Sequence, residues 1–191
     1  MRIGIIGAGH IGNALGVRFA AAGHQVMLSN SRGPATLADL VASIPGDVRA
    51  GTVAEATGFG EVVAVAIPLR AIWDLPPEPF AGKLVIDANN YYPQRDGHIA
   101  QLDADQTTSS ELLASLLPGA TMVKAFNRVY FQRLLDDSHP ERPAGERLAI
   151  PVAGDDEDAK RTVIELIDGI GFTGVDAGTL ADSRPLQPGR R

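Results

Sequence analysis

The chain has 191 residues, a length that one domain accommodates, and enough apolar material (45% of residues) to bury a core without staples. It contains no cysteine, which excludes disulfide frameworks, thiol nucleophiles and cysteine-ligated metal centres. The formal net charge of −6 has the wrong sign for sequence-independent nucleic-acid binding, and no apolar run approaches the roughly 20 residues of a membrane span. A cytoplasmic protein with no nucleic-acid or membrane partner is therefore expected.

Short apolar runs alternate with helical patterns along the chain. Arg2–Ile6 reads as a buried strand that ends in a glycine turn, and it is expected to be such a strand rather than the apolar region of a secretory leader. Residues 11–22 read as a helix stopped by Gly23, and Gln25–Ser29 as a second strand. A helix over 35–43 follows Gly33-Pro34, with Pro34 suited to a first helical turn. Residues 48–50 form a short third strand and 61–67 (EVVAVAI) a fourth, too apolar for a sheet with one wet face.

Residues 83–88 (KLVIDA) make a fifth strand, followed by a long polar connection over 89–108, the kind of segment that is often functional. The pattern then gives a helix over 109–117, with Thr108 or Ser109 as its N-cap and Glu111 in its first turn, and a strand over 121–125. A surface excursion covers 138–146. Residues 148–152, 155–170 and Thr173–Asp176 close the chain as strand, helix and strand. This order predicts a single α/β domain, a Rossmann-type, doubly wound, mostly parallel sheet. The domain is expected to span 1–184, including a small C-terminal α/β extension, with 185–191 as a short tail. Ligands then belong at the carboxyl ends of the strands, near the topological switch point.

Gly7-Ala8-Gly9-His10-Ile11-Gly12 matches G-x-G-x-x-G between an apolar strand and an apolar-faced helix, the context that gives the pattern weight. Gly7 serves a tight turn, Gly9 close approach of the backbone to a pyrophosphate, and Gly12 close packing of helix on strand. The helix start, with His10 and Ile11, presents free N–H groups to phosphates. After the second strand the chain reads Ser29-Asn30-Ser31-Arg32. No carboxylate is present to accept bonds from a ribose 2′-hydroxyl. Arg32 instead suits a 2′-phosphate, with Ser29, Asn30 and Ser31 as neutral donors, so NADP(H) is the expected dinucleotide. His10 is assigned a structural or phosphate-adjacent role, and His24 a turn. His98 and His139 are expected in polar loops without a paired carboxylate or metal-ligand spacing; no metal site is expected, and no catalytic residue is identifiable.

With the later segments joined to these, the chain resembles the coenzyme F420-dependent NADP oxidoreductase family, whose fold also occurs in STEAP-type metalloreductases. The resembling stretches are GAGHIG (7–12), SNSRGP (29–34), AIPLRA (66–71), VIDANNYYPQRDG (85–97), SSELLASLLPGATMVKAFN (109–127), PVAGDDEDAK (151–160) and DAGTLADSR (176–184). The resemblance implies that Gly7, Gly9, Gly12, Ser31 and Arg32 hold the phosphates and ribose of NADP(H). It implies that Pro68, Leu69, Asn89 and Asn127 surround the nicotinamide, and that the protein is a homodimer. The loop NNYYPQRDG departs from the F420 enzymes, which leaves the acceptor open between F420 and a flavin.

Hydride transfer between two such cofactors needs little acid–base help from the protein, in keeping with the absence of a triad. Ile67, Pro68 and Leu69 are expected as an apolar wall, Asn89 and Asn127 as carboxamide ligands, and Tyr91 and Tyr92 as an aromatic lid. Asp87 is expected to order the turn after its strand. Two rival functions stand beside this one: an NADPH-dependent reductase of a small carbonyl or imine, and a non-catalytic NADP(H)-sensing module.

Overall fold

Eight short strands with few polar side chains pair into one sheet in a computed structural model of the chain, which describes residues 1–189. They are β1 (Arg2–Ile6), β2 (Gln25–Ser29), β3 (Val48–Gly51), β4 (Val62–Val65), β5 (Leu84–Asp87), β6 (Thr121–Lys124), β7 (Ala149–Gly154) and β8 (Thr173–Asp176). The spatial order is β3-β2-β1-β4-β5-β6-β7-β8, and every neighbouring pair is parallel except β6 and β7. The fold is thus the expected Rossmann-type α/β domain, with the order reversing between β1 and β4.

Burial on both faces explains why these strands read as continuous apolar runs. Side chains alternate across the pleat, so Val62 and Ala64 of β4 enter one cluster and Val63 and Val65 the other. The first cluster lies beneath α1 (His10–Ala21), α7 (Phe131–Asp136) and α8 (Glu157–Gly169), with Leu15, Phe19, Leu134, Val163 and Ile167 at its centre. The second lies beneath α3 (Val53–Phe59), α6 (Ser109–Leu116) and a 3-10 helix over Leu69–Asp74, and includes Ala56, Leu69, Ile72 and Leu113. At Gly4 of β1 an added Cβ would stand 2.1 Å from the Ala56 carbonyl oxygen, so only glycine lets α3 lie this close to the sheet.

Local capping sets the helix starts. Thr108 accepts from the Glu111 N–H and Glu111 reaches back to the Thr108 N–H, a complete capping box for α6. Thr52 and Glu55 do the same for α3, an element missed in the sequence because only seven residues carry it. The helix expected over 35–43 is split into a 3-10 turn, Pro34–Leu37, and a short α2, Ala38–Ser43. The polar connection over 89–108 also holds structure: α4 (Pro93–Asp96) and α5 (Ala100–Asp103) are each a single turn.

The C-terminal boundary expected at 184 falls inside a 3-10 helix, Ala181–Leu186. Gln187 beyond it is buried, and its side-chain oxygen accepts from the Ser109 N–H at 3.4 Å. The first part of the expected tail is therefore packed structure; Arg190 and Arg191 lie outside the described residues. Among the described residues no helix is long and apolar enough to cross a membrane.

Candidate functional site

A cleft of about 580 Å³ opens at the carboxyl ends of β1, β4, β5 and β6, beside the point where the strand order reverses. Gly9, His10 and Ile11 from the start of α1 form one side, and Ile67 and Pro68 after β4 form another. Asn89, Asn90, Tyr92 and Arg95 after β5, together with residues 126–131 after β6, complete it. This size lies within the range of small-molecule sites.

The glycine turn is built around two close approaches. Gly7 has φ +104° and donates its N–H to the Ser29 carbonyl at 3.0 Å. A Cβ on Gly12 would stand 1.7 Å from the Gly7 carbonyl oxygen, whereas nothing lies within 4 Å of a Cβ on Gly9. The turn is tight where helix meets strand and open where it faces the cleft. No side chain caps α1 at Gly9, so its first N–H groups are available to a ligand. His10 is exposed and stacks on Phe131, with ring centroids 4.4 Å apart.

Past β2, Ser31 and Arg32 are exposed. The Arg32 guanidinium makes no hydrogen bond or ion pair among the described residues, while its N–H donates to Asn30 Oδ1 at 2.9 Å. Asn30 also bonds Thr36, so its amide orders this loop. Ser29 departs from the expected donor role: it is fully buried, and its hydroxyl donates to the Ile5 carbonyl at 3.1 Å. Strand side chains alternate in direction, and Ser29, the last residue of β2, points inward.

Beneath the cleft lies a buried ionic cluster. Lys124 Nζ bonds Asp87 Oδ2 at 2.9 Å and the Asn89 carbonyl at 2.6 Å, and both charged side chains are fully buried. Asp87 Oδ2 also accepts from Ser110 Oγ at 2.6 Å, while Oδ1 accepts from the Asn89 N–H at 2.9 Å. Asp87 thus orders the turn after β5, as its position at a strand end implied. Asn89 is fixed a third time, because its Oδ1 accepts from the Ile67 N–H at 2.8 Å.

Those contacts leave the Asn89 Nδ2 donor buried without a partner among the described residues. Asn127 is its counterpart: Nδ2 donates to the Leu186 carbonyl at 2.8 Å and to Asn90 Oδ1 at 3.1 Å, leaving Oδ1 buried and, among the described residues, unpaired. In each case the paired end fixes which atom is nitrogen and which is oxygen. Phe126, just before Asn127, is buried with φ +65°, a costly conformation for a non-glycine residue that turns the chain sharply into residues 127–131.

Two aromatic and apolar expectations change. Leu69 is absent from the cleft wall: it is the first residue of the 3-10 helix Leu69–Asp74 and is fully buried in the core. Tyr91 is buried too, its hydroxyl donating to Asp103 Oδ1 at 2.7 Å and accepting from the Ile99 N–H, and burial with the Asp103 carboxylate pushes its phenol pKa up. It braces the connection over 89–108; only Tyr92 borders the cleft, with the Arg95 guanidinium 5.0 Å from its ring centre. The histidine expectation is also corrected: His98 pairs with Asp103 at 2.9 Å and His139 with Glu141 at 3.0 Å.

Several cleft residues carried no sequence signal. Arg95 is held by Asp96, whose carboxylate also accepts from the Tyr92 N–H. Burial would raise the Asp96 pKa, but the bonds from Arg95, Tyr92 and Arg70 outweigh it and hold the group below the ordinary aspartate range. Arg128, Tyr130 and Phe131 reach the cleft only because of the turn at Phe126.

A glycine turn between the first strand and helix, facing a cleft at the switch point of a parallel sheet, defines a dinucleotide-binding Rossmann-type domain. Residues 2–91 match the family described as NADP oxidoreductase, coenzyme F420-dependent. A solved structure of a hypothetical protein from Sinorhizobium meliloti is 35% identical, with TM-score 0.84, the match covering all of this chain and 91% of that one. A protein of Arthrobacter sp. FB24, provisionally named an F420-dependent NADP-reductase, is 25% identical with TM-score 0.81 over 97% of this chain and 88% of its own. The metalloreductase STEAP3 of Rattus norvegicus is 30% identical over 97% of this chain and 36% of its own length. Over residues 2–91, just under half of its length, the chain is thus similar to the coenzyme F420-dependent NADP oxidoreductase family. It spans about a third of the length of the curated relatives it matches.

Proposed function

We propose that the chain is an NADP(H)-dependent oxidoreductase that passes hydride between NADPH and a flavin or deazaflavin ring in the cleft. The carrying observation is the pair of leftover amide atoms: a donor on Asn89 and an acceptor on Asn127, both on cleft residues, are the complement of a nicotinamide carboxamide. Buried polar atoms without partners are rare enough to require an explanation, and a ligand that satisfies both supplies one. The name of the Arthrobacter relative supports the same reading.

When bound, NADPH supplies a hydride, two electrons and one hydrogen nucleus, and the acceptor ring completes its reduction with a proton from solvent. The chain's own part is placement. Gly7, Gly9 and Gly12 shape the phosphate turn, and the free N–H groups at His10 and Ile11 bind the pyrophosphate. Ser31 and Arg32 hold the 2′-phosphate, with Asn30 ordering their loop and Ser29 anchoring the turn from below. Ile67 and Pro68 give the ring an apolar wall, and Asn89 and Asn127 fix its rotation.

The dinucleotide choice is tested at Arg32. Arg32→Ala is expected to raise the dissociation constant for NADPH about tenfold or more and to leave NADH almost unchanged, as loss of a charge-assisted bond requires. Fluorescence titration with both nucleotides measures this; an equal effect on the two removes Arg32 from the 2′-phosphate site. NADPH oxidation with flavins and F420 tests the acceptor, and tight NADPH binding without turnover of any of them overturns the hydride-transfer reading.

A further inference from the structure

A second cavity of about 170 Å³ lies on the far side of residues 128–130, which line both it and the main cleft. Its other walls are Arg133 of α7 and residues 148–151 at the start of β7. The topology creates that wall. β7 is antiparallel to β6 and pairs with it only through Val123–Gly154 and Lys124–Ala153. The four residues before Ala153 therefore run past the carboxyl edge of the parallel strands by roughly 13 Å, supported there by β8.

The charge around these two cavities is opposite to that of the chain as a whole. With 23 acidic against 17 basic residues, the chain is anionic, yet neither lining contains a carboxylate and together they hold Arg95, Arg128 and Arg133. Arg95 is engaged by Asp96 and Arg133 by Asp137. Arg128 is exposed, and its guanidinium has no hydrogen bond or ion pair among the described residues. Leu148, Ile150 and Pro151 supply an apolar floor beside it. A free guanidinium over an apolar floor suits a short apolar stem that ends in an anion.

The geometry points to the second cavity as the subsite for a phosphate or carboxylate on the side chain of the hydride acceptor, with Arg128 as its main ligand and Arg133 as a weaker one. This rests on the acceptor reading above and adds the chemistry of the acceptor's tail: the ring occupies the main cleft, and its stem crosses the ridge at Val129 and Tyr130. The dinucleotide's own phosphates have a separate site at the glycine turn and the loop after β2.

FMN and riboflavin separate the two claims, because they share one ring and differ in a terminal phosphate. Steady-state NADPH oxidation is expected to favour FMN in kcat/KM by about tenfold or more, the worth of a bond to a charged group. Arg128→Ala is expected to erase most of that preference, Arg128→Lys to keep part of it, and Arg133→Ala to reduce it less. NADPH affinity, measured by fluorescence in each variant, is expected to hold. Turnover of both flavins with equal kcat/KM overturns the subsite alone. A preference that survives Arg128→Ala, or a loss of NADPH affinity in that variant, also overturns it, the latter by assigning Arg128 to the dinucleotide. Turnover of neither flavin confines the acceptor reading to a deazaflavin, and the subsite is then overturned if Arg128→Ala leaves kcat/KM for F420 unchanged.

Discussion

Lys124 and Asp87 form an ion pair with both side chains fully buried. Among the described residues, each is satisfied by the other and by Ser110, Ser109 and the backbone of Asn89. Breaking such a pair from one side leaves an uncompensated charge in the interior. Lys124→Met is therefore expected to destabilise the fold by about 3–5 kcal/mol, read from urea denaturation. It is also expected to weaken NADPH binding, because Asn89 loses one of its three anchors. A variant with native stability would show that the pair is not a structural requirement. In the sequence these residues read as two charges at strand ends; their partnership appears only when β5 and β6 bring Asp87 and Lys124 opposite each other.

Among the elements, the turn α4 depends on one carboxylate. Asp96 accepts from the N–H groups of Tyr92 and Arg70 and pairs with Arg95, so it positions two residues of the cleft rim. Its pKa is depressed in the folded chain, so the unfolded chain binds the proton more readily. The stability it contributes is full above the ordinary aspartate value of 3.8 and is lost as the pH falls through the lower folded value. The protection factor of the Tyr92 amide, its exchange rate corrected for the intrinsic pH dependence, is expected to fall in that acid window, and Asp96→Asn is expected to show fast exchange already at neutral pH. Slow neutral exchange in that variant would remove Asp96 as the support of the turn. Polarity identified residues 89–108 as a connection, but single-turn helices carry too little periodicity to be read from sequence.

For the whole molecule, the C-terminal segment closes the site from behind. The Leu186 carbonyl holds Asn127, and Gln187 packs against Ser109 at the start of α6. A chain ended after Arg184 is expected to bind NADPH more weakly and to melt at a lower temperature, since Asn127 keeps only Asn90 as partner. Unchanged affinity in that chain would place the segment outside the site. Charge has a similar whole-molecule character: a net −6 excludes a basic surface overall, yet the fold gathers three arginines around the two cavities.

The N-terminal half of the site was legible because its signals are local. A glycine turn, the strand before it and the helix after it lie within about 30 residues, and β1, α1 and β2 follow that pattern closely. Strand positions were legible because burial on both faces leaves uninterrupted apolar runs. Tertiary structure alone decided the rest. It turned Ser29, Leu69 and Tyr91 inward, since side-chain direction follows from pairing and packing that a residue's type does not encode. It reversed β7 against β6 and, through one left-handed residue at Phe126, carried residues 128–131 over to the cleft. The glycine turn and the loop after β2 were therefore written in contiguous sequence, whereas the rest of the cleft is assembled from segments far apart in the chain.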